Sequence, residues 1–388
     1  MKKFFAKIHL WLSIPFGIII AIICLTGAIL VFETEILEFC YPSRYFVKEI
    51  KSEPLSLAAL MDTARGQLPD SIKINGIRVD FDPKRTYQLI LPGKKAACFI
   101  NPYTGEITGI DEGKGFFMKV MRLHRWLLDE YKRDGSFSWG KTIVGYSTLV
   151  LVIIIISGLV IWYPRNKKAL KNRLKIQTKS GWFRFLYDLH VSGGFYSALL
   201  LLILALTGLT WSFDWYRDTF YSAFGISTTS KQTHALASAV SQKTTEKRDP
   251  KNQPKTNYTQ WAEVLTYLQS RYPEYKTISI QNDGSATVST AAYGNTRGND
   301  RYSFNPVTGK ITKIQLYKDL PKSAKIRGWI YSVHAGTWGG MTTRILNCLV
   351  SLLGAVFAIT GYYFWIKRRY KRLDKLYCKT DWMIRNKK

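Results

Sequence analysis

The chain has 388 residues, of which 46% are hydrophobic and 14% aromatic, and its formal net charge is +29. The hydrophobic content excludes a disordered chain, while the charge alone would suit a protein that binds nucleic acid. Much of the positive charge lies in short segments beside long apolar runs, so we expect a membrane partner and no nucleic-acid partner.

Four apolar runs are long enough to cross the hydrocarbon layer of a bilayer, which requires roughly 20 helical residues. The first run exceeds the ~7 to 15 apolar residues of a secretory signal, so it is predicted to stay as an anchor. We therefore predict an α-helical integral membrane protein with four transmembrane helices. Its predicted parts are residues 1–32 (transmembrane helix 1), 33–142 (first extracytoplasmic domain), 143–163 (helix 2), 164–189 (basic cytoplasmic loop), 190–213 (helix 3), 214–344 (second extracytoplasmic domain), 345–366 (helix 4) and 367–388 (basic tail).

Positive charge predicts the orientation of these helices. The flanks 1–8, 164–189 and 367–388 hold 21 of the 56 Lys and Arg residues but only three acidic residues. Because short basic segments stay in the cytoplasm, both termini are predicted to be cytoplasmic, in the inner (cytoplasmic) membrane. The two long connections then face the periplasm.

Internal similarity indicates a duplication. The span sequences "IICLTGAILVF" and "LILALTGLTWSF" correspond, as do the turns "INPYTGEI" and "FNPVTGKI", and 32 residues separate Pro69 from Asn101 and Pro273 from Asn305. In both extracytoplasmic segments an amphipathic helix precedes short alternating runs that predict antiparallel strands. Residues 1–165 and 185–370 are thus interpreted as two parallel span-domain-span repeats, related by an axis along the membrane normal.

Two further features carry weaker predictions. Residues 227–255 are polar and are expected to form a mobile loop. The five cysteines show no CxxC or CxxCH spacing, which signals neither zinc nor covalently attached haem. A disulfide between Cys40 and Cys98, which share one extracytoplasmic segment, remains an open alternative.

Four of the five histidines occupy matched places in the two repeats. His9 and His190 each stand 17 residues before the threonine of a Thr-Gly pair, at the predicted cytoplasmic edge. His124 and His334 each precede the second span of their repeat, whereas His234 lies in the polar loop as an expected bystander. A single such histidine is often only an amphipathic residue at a membrane edge, but the repeat axis predicts two facing pairs, His9 with His190 and His124 with His334.

Two imidazoles suit the two axial positions of a haem iron, whereas zinc or copper usually takes further ligands. Without CxxCH the predicted cofactors are two b-type haems with bis-histidine ligation. The 17 residues from His9 to Thr26 correspond to roughly 25 Å of helix, so one haem near each face would divide the membrane into two shorter electron transfers.

The sequence resembles the PepSY-associated transmembrane family over nearly its whole length. The resemblance is carried by "KIHLWLSIPFG", "LHRWLL", "DLHVSGGFYSALLLLILALTG", "VHAGTWGG" and the two NPxTG turns. It implies two extracytoplasmic α+β PepSY-like domains, two b-type haems, and axial-ligand roles for His9, His124, His190 and His334. Family members include iron-regulated membrane proteins and ferric-siderophore reductases.

The leading functional hypothesis is a di-haem conduit that reduces ferric iron, held by a siderophore or another chelate, on the periplasmic face. The short tail contains no nucleotide-binding signature, so the expected electron donor is a separate cytoplasmic reductase or a membrane quinol. Two alternatives remain open: a non-enzymatic PepSY scaffold that restrains an envelope partner, and a di-haem conduit with a different periplasmic acceptor.

Overall fold

The computed structural model describes residues 1–51, 53–69, 71–93, 95–130, 136–226, 258–290 and 294–385. The predicted mobile loop, 227–255, and His234 within it lie outside these residues. The chain divides into two compact units, which are described separately. The helix unit comprises Met1–Val31, Val120–Phe213 and Ile345–Lys388, and the sheet unit comprises Phe32–Lys119 and Asp214–Arg344.

Helices dominate the described chain. In chain order they are α1 (Lys2–Val31), α2 (Glu33–Cys40), α3 (Pro42–Tyr45), α4 (Leu57–Gln67), α5 (Phe116–Trp126), α6 (Trp139–Trp162), α7 (Lys167–Arg173), α8 (Trp182–Asp188), α9 (Gly194–Leu209), α10 (Asp214–Ala223), α11 (Tyr258–Arg271), α12 (Lys322–His334) and α13 (Gly340–Arg385). A π-helix, Leu189–Gly193, joins α8 to α9, and short 3-10 helices, Tyr317–Asp319 and Thr337–Gly339, flank α12.

Within the described residues, four helical stretches are long and apolar enough to cross a membrane. They are Lys2–Val31, Trp139–Trp162, Trp182–Leu209 and Thr337–Tyr370. This agrees with the predicted multi-pass membrane protein. The last helix, α13, runs on through most of the basic tail, to Arg385.

Close contacts join the four long helices of the helix unit into a bundle. Helix α1 packs against α6, and α6 packs against α9. A Cβ atom on Gly354 of α13 would lie 2.9 Å from Cys24 Sγ of α1 and 3.1 Å from Leu201 Cδ2 of α9. A small residue is therefore required where these three helices meet, as is common where helices pack inside membranes.

The sheet unit contains eight antiparallel strands in one continuous sheet. The strands are β1 (Gly76–Asp80), β2 (Tyr87–Ile90), β3 (Ala97–Ile100), β4 (Ile107–Asp111), β5 (Thr277–Gln281), β6 (Ser285–Ser289), β7 (Asp300–Phe304) and β8 (Ile311–Gln315), in the order β4-β3-β2-β1-β5-β6-β7-β8. Strands β1 and β5 pair along their full lengths, from Gly76 opposite Gln281 to Asp80 opposite Thr277. The sequence predicted two separate domains and gave no indication of this joining.

The core of the sheet unit lies between one face of the sheet and two helices, α4 and α11. Alternation along each strand directs residues such as Ile77 and Ile278 toward this side, where both are fully buried. Leu60 of α4 and Trp261 of α11 cover them. Helix α4 begins after Ser56, whose hydroxyl accepts a hydrogen bond from the amide of Ala59 at 3.3 Å, as expected for a capped helix.

Both NPxTG segments form the same tight turn. The amide of Gly105 donates to the carbonyl of Asn101, and the amide of Gly309 donates to that of Asn305, each at 2.9 Å. Gly105 and Gly309 have φ values of +72° and +68°, a conformation that glycine adopts without strain.

Cys40 is exposed and Cys98 is buried in the core, and both are free, so the structure contains no disulfide between them.

Candidate functional site

His9 lies on α1 and points at a carbonyl and a hydroxyl of α6. Its Nδ1 atom is 3.0 Å from the carbonyl oxygen of Ile154 and 3.1 Å from Ser157 Oγ. A carbonyl oxygen can only accept a hydrogen bond, so Nδ1 carries the proton. The other ring nitrogen, Nε2, is then unprotonated and able to bind a metal.

His190 is held in an equivalent way by α13. Its Nδ1 atom is 2.8 Å from Thr360 Oγ1, and this hydroxyl already donates to the carbonyl of Val356 at 2.8 Å. Nδ1 of His190 therefore donates to Thr360, which again leaves Nε2 unprotonated. The rings of Phe357 and Phe364 lie edge-on to the imidazole, with centroids 5.6 Å and 5.9 Å away.

The backbone that carries His190 is a π-helix, which the sequence did not predict. Such segments are rare and often occur at functional sites, because the wider turn redirects the side chains on it. Side-chain contacts hold this segment at both ends. The buried carboxylate of Asp188 accepts from Arg184 Nε at 3.0 Å, and the hydroxyl of Ser192 donates to the carbonyl of Arg173 at 2.8 Å.

His9 and His190 both belong to the helix unit, where His9 lies on α1 and His190 on the π-helix that precedes α9. Neither Nε2 atom has a hydrogen-bond partner among the described residues. Among the residues that the structure describes, no group of three or more His, Cys, Asp or Glu residues is arranged to hold a metal ion. The donor set of this site is two neutral imidazoles, which fits the axial ligation of haem iron.

His124, near the end of α5, makes the same type of contact with α1. Its Nδ1 atom is 3.0 Å from the carbonyl oxygen of Ile23 and 3.1 Å from Thr26 Oγ1. The short helix α5 therefore folds back onto the first long helix, a point that the sequence left open. Burial lowers the pKa of His124 to about 4, so its imidazole is neutral at pH 7.

A strained turn follows His124 and fixes it in place. Leu127 and Leu128 have φ values of 49° and 68°, a left-handed conformation that costs residues other than glycine roughly 1–2 kcal/mol each. The next residue, Asp129, accepts hydrogen bonds from Ser138 Oγ at 2.7 Å and from the amide of Gly140 at 3.1 Å, at the start of α6. Strain of this kind persists where surrounding contacts enforce it, and it is concentrated at functional sites.

These three histidines share a partner motif, a hydroxyl residue followed by glycine. A Cβ atom on the glycine would lie 3.2 Å from Cε1 of His9 at Gly158, 3.1 Å from that of His124 at Gly27, and 3.8 Å from that of His190 at Gly361. The hydroxyl residues are Ser157, Thr26 and Thr360, respectively. The signal was present in the sequence, where Thr-Gly pairs marked equivalent depths, but their role as histidine partners was missed.

His334 is the last residue of α12, in the sheet unit. It is followed by a tight turn at Gly336, whose φ is +73°. Its predicted pairing with His124, which belongs to the helix unit, stays a prediction.

Comparison with protein families identifies the relatives of this chain. The model described as the PepSY-associated TM region matches residues 6–368. The chain belongs to this family. Membership in the PepSY-associated TM family suggests an iron-regulated membrane protein. A comparison with curated proteins finds no match.

Proposed function

We propose that this protein is a two-haem electron conduit that reduces ferric iron, bound in a siderophore or a similar chelate, on the periplasmic side of the inner membrane. The observation that supports it most is that Nδ1 of His9 and Nδ1 of His190 each hydrogen-bond a neighbouring helix, while neither Nε2 atom has a hydrogen-bond partner among the described residues. Such hydrogen bonds orient a histidine toward a metal and raise its basicity.

His9 and His190 would hold one b-type haem, and His124 and His334 the other. A haem held by each pair of imidazoles would supply one-electron transfer. For His9, His190 and His124, hydrogen bonds within the chain fix the tautomer and the direction of the imidazole. Ser157, Thr360 and Thr26 do this by accepting the Nδ1 proton.

The proposed donor is a membrane quinol or a separate cytoplasmic reductase. A quinol that is oxidised to quinone gives up two electrons and two protons, so it would convert two ferric chelates to their ferrous forms. Ferrous iron binds hard oxygen ligands less tightly than ferric iron does, and reduction would therefore promote release of the metal.

The test begins with the absorbance spectrum of protein purified from haem-replete cells. We expect a reducible low-spin haem spectrum with about two haems per chain. His9→Ala and His190→Ala should each remove the same half of the signal, and the double variant should lose no more than either single one. His234→Ala is the matched control and should leave the spectrum unchanged.

A colourless preparation would reject the proposal and favour a non-enzymatic scaffold. Loss of both haems in every single histidine variant would contradict two independent pairs. The acceptor is tested separately by mixing dithionite-reduced protein with ferric chelates. Failure to reoxidise on any chelate would favour a different periplasmic acceptor.

A further inference from the structure

A cavity of about 780 Å³ opens in the sheet unit between the end of α11, the start of β7 and α12. Its size lies within the range of small-molecule sites, roughly 300–1,000 Å³. Three aromatic rings and three charged groups line it: Tyr272, Tyr317, Trp329, Arg271, Lys318 and Asp300.

Among the described residues of this lining, Asp300 is the only acid, and hydrogen bonds within the protein occupy it. One carboxylate oxygen of Asp300 accepts from the hydroxyl of Tyr272 at 2.7 Å, and the other accepts from the amide of Tyr317 at 2.6 Å. Asp300 therefore positions the two tyrosines. Arg271 and Lys318 are both exposed and line the cavity, so two positive charges stand against the one negative charge of Asp300. The cavity therefore favours an anion.

The aromatic rings restrict the ligand further. Tyr272, Tyr317 and Trp329 are each partly exposed, and Trp329 retains 41% of its surface. Partly exposed rings that stand beside cations suit a ligand with flat apolar parts that also carry negative charge. Among ferric chelates, those that hold iron through aromatic oxygens, catecholates and phenolates, combine both properties.

The wall of the cavity is built on the helix that ends in His334. The buried amide of Asn295 donates to Tyr317 Oη at 2.9 Å and to the carbonyl of Lys325 at 3.0 Å. Thr296 Oγ1 lies 3.0 Å from Ser332 Oγ. Trp329 and His334 are five residues apart on α12, which is about 7.5 Å along a helix. The cavity wall and the residue proposed to bind the second haem thus belong to one helix.

We propose that this cavity binds an anionic ferric chelate whose iron ligands are aromatic oxygens, next to the electron outlet at His334. This inference depends on the proposed function for the role of His334, but binding itself is measured without electron transfer. One electron from the conduit would reduce Fe³⁺ in the bound chelate to Fe²⁺.

The experiment measures binding of a redox-inert mimic, gallium(III) tris-catecholate, to the full-length protein in detergent by titration calorimetry. The neutral gallium(III) tris-acetohydroxamate complex is the comparison ligand. We expect the catecholate complex to bind and the hydroxamate complex to bind at least tenfold more weakly. Lys318→Glu and Trp329→Leu should each weaken catecholate binding about tenfold or more, and raising the salt concentration should weaken it further.

Lys313→Glu is the matched control, because this exposed lysine lines a separate groove between β8 and α11. It should leave binding within about twofold. Equal binding by all variants, or a loss confined to Lys313→Glu, would overturn the inference. Because the haem spectrum is read independently, a failure of catecholate binding would leave the proposed conduit intact. A colourless protein would reject the conduit whatever the binding result.

Discussion

The two halves of the chain hold their first histidine with the same chemistry but with different backbones. His9 lies on the unbroken helix α1, whereas His190 lies on a π-helix. Nδ1 of His9 contacts both a carbonyl and a hydroxyl, while Nδ1 of His190 contacts the hydroxyl of Thr360 and no other hydrogen-bonding group among the described residues. The contact between the imidazole and a hydroxyl is therefore shared by the two halves, whereas the backbone that carries the histidine differs.

The halves also differ at the centre of the sheet, where β1 pairs with β5. Gly76 begins β1, and Thr277 begins β5. A Cβ atom on Gly76 would lie 2.4 Å from the carbonyl oxygen of Ile280. The first half therefore approaches its neighbour more closely than a side chain allows, whereas the second half has a threonine at the corresponding place.

The largest predicted effect comes from Gly76→Ala. The new methyl group would collide with backbone, which cannot rotate away, so we expect a loss of about 1–3 kcal/mol of stability or more. Gly66→Ala is the control, because a Cβ atom there meets nothing within 4 Å, and alanine is favoured in a helix by roughly 0.5–1 kcal/mol. Thermal unfolding of the detergent-solubilised variants measures both. Equal melting temperatures would show that the close approach at Gly76 is not needed.

The next prediction concerns the hydrogen-bond partners of His190 and His9. Thr360→Val keeps the side-chain shape but removes the acceptor of His190, so haem affinity should fall about 10–100-fold. Ser157→Ala should cost less, because the carbonyl of Ile154 still accepts from His9. Haem loss to excess apomyoglobin measures both rates. A larger effect at Ser157 would contradict the assigned partners.

A smaller difference is expected at the two glycines. Gly158→Ala places a methyl group 3.2 Å from the His9 ring, so the imidazole must shift by a few tenths of an ångström. Gly361→Ala places one at 3.8 Å from the His190 ring, which is an ordinary contact. Gly158→Ala should therefore change the low-spin electron paramagnetic resonance signal, and Gly361→Ala should leave it nearly unchanged. Identical spectra from the two variants would contradict the difference in glycine contacts between His9 and His190.

The smallest effect concerns acid stability. Burial raises the pKa of Glu35 in α2, but its hydrogen bond with Arg344 and nearby positive charge more than offset this, so the net pKa is lowered. A lowered pKa stabilises the folded state above the ordinary value of 4.5, and the contribution is lost as pH falls through the folded-state value. Because Glu35 is about a third exposed, the gain should stay below roughly 1 kcal/mol.

Glu35→Gln should therefore flatten the fall of the melting temperature between about pH 5 and pH 3. In the second half of the chain, the acids Asp214 and Asp218 pair with Arg217 from the same helix. Their replacement tests whether local pairs matter as much as the pair that Glu35 makes with Arg344. If Glu35→Gln leaves the acid sensitivity unchanged, the pair of Glu35 with Arg344 does not differ in this respect from the local pairs of the second half.

Local features of the fold were predictable from the sequence because they depend on neighbouring residues. Hydropathy identified the long helices, the amphipathic helix expected before the strands of the first extracytoplasmic segment is α4, and the NPxTG segments form turns. Alternation of Ile77 and Val79 gave the buried face of β1. It could not give the neighbour of β1, since strand pairing depends on residues 200 positions away in the chain.

The site was predictable in its residues and only partly in its geometry. The shared spacing singled out His9, His124, His190 and His334, but hydroxyl-glycine partners emerge only when helices pack. Arg184 and Arg344 form ion pairs with Asp188 and Glu35, respectively, and the sequence did not predict these pairs. The π-helix has no recognised sequence pattern, and its position follows from the anchoring of Asp188 and Ser192.

The pairing of β1 with β5 also decides whether the halves can exist apart. Expressed alone, either fragment would expose a bare central strand, and unprotected strand edges invite aggregation. Co-expression of residues 1–226 with 258–388 would give each fragment its missing neighbour. Because β1 pairs with β5, we expect the two halves to fold together, even when the chain is cleaved between them.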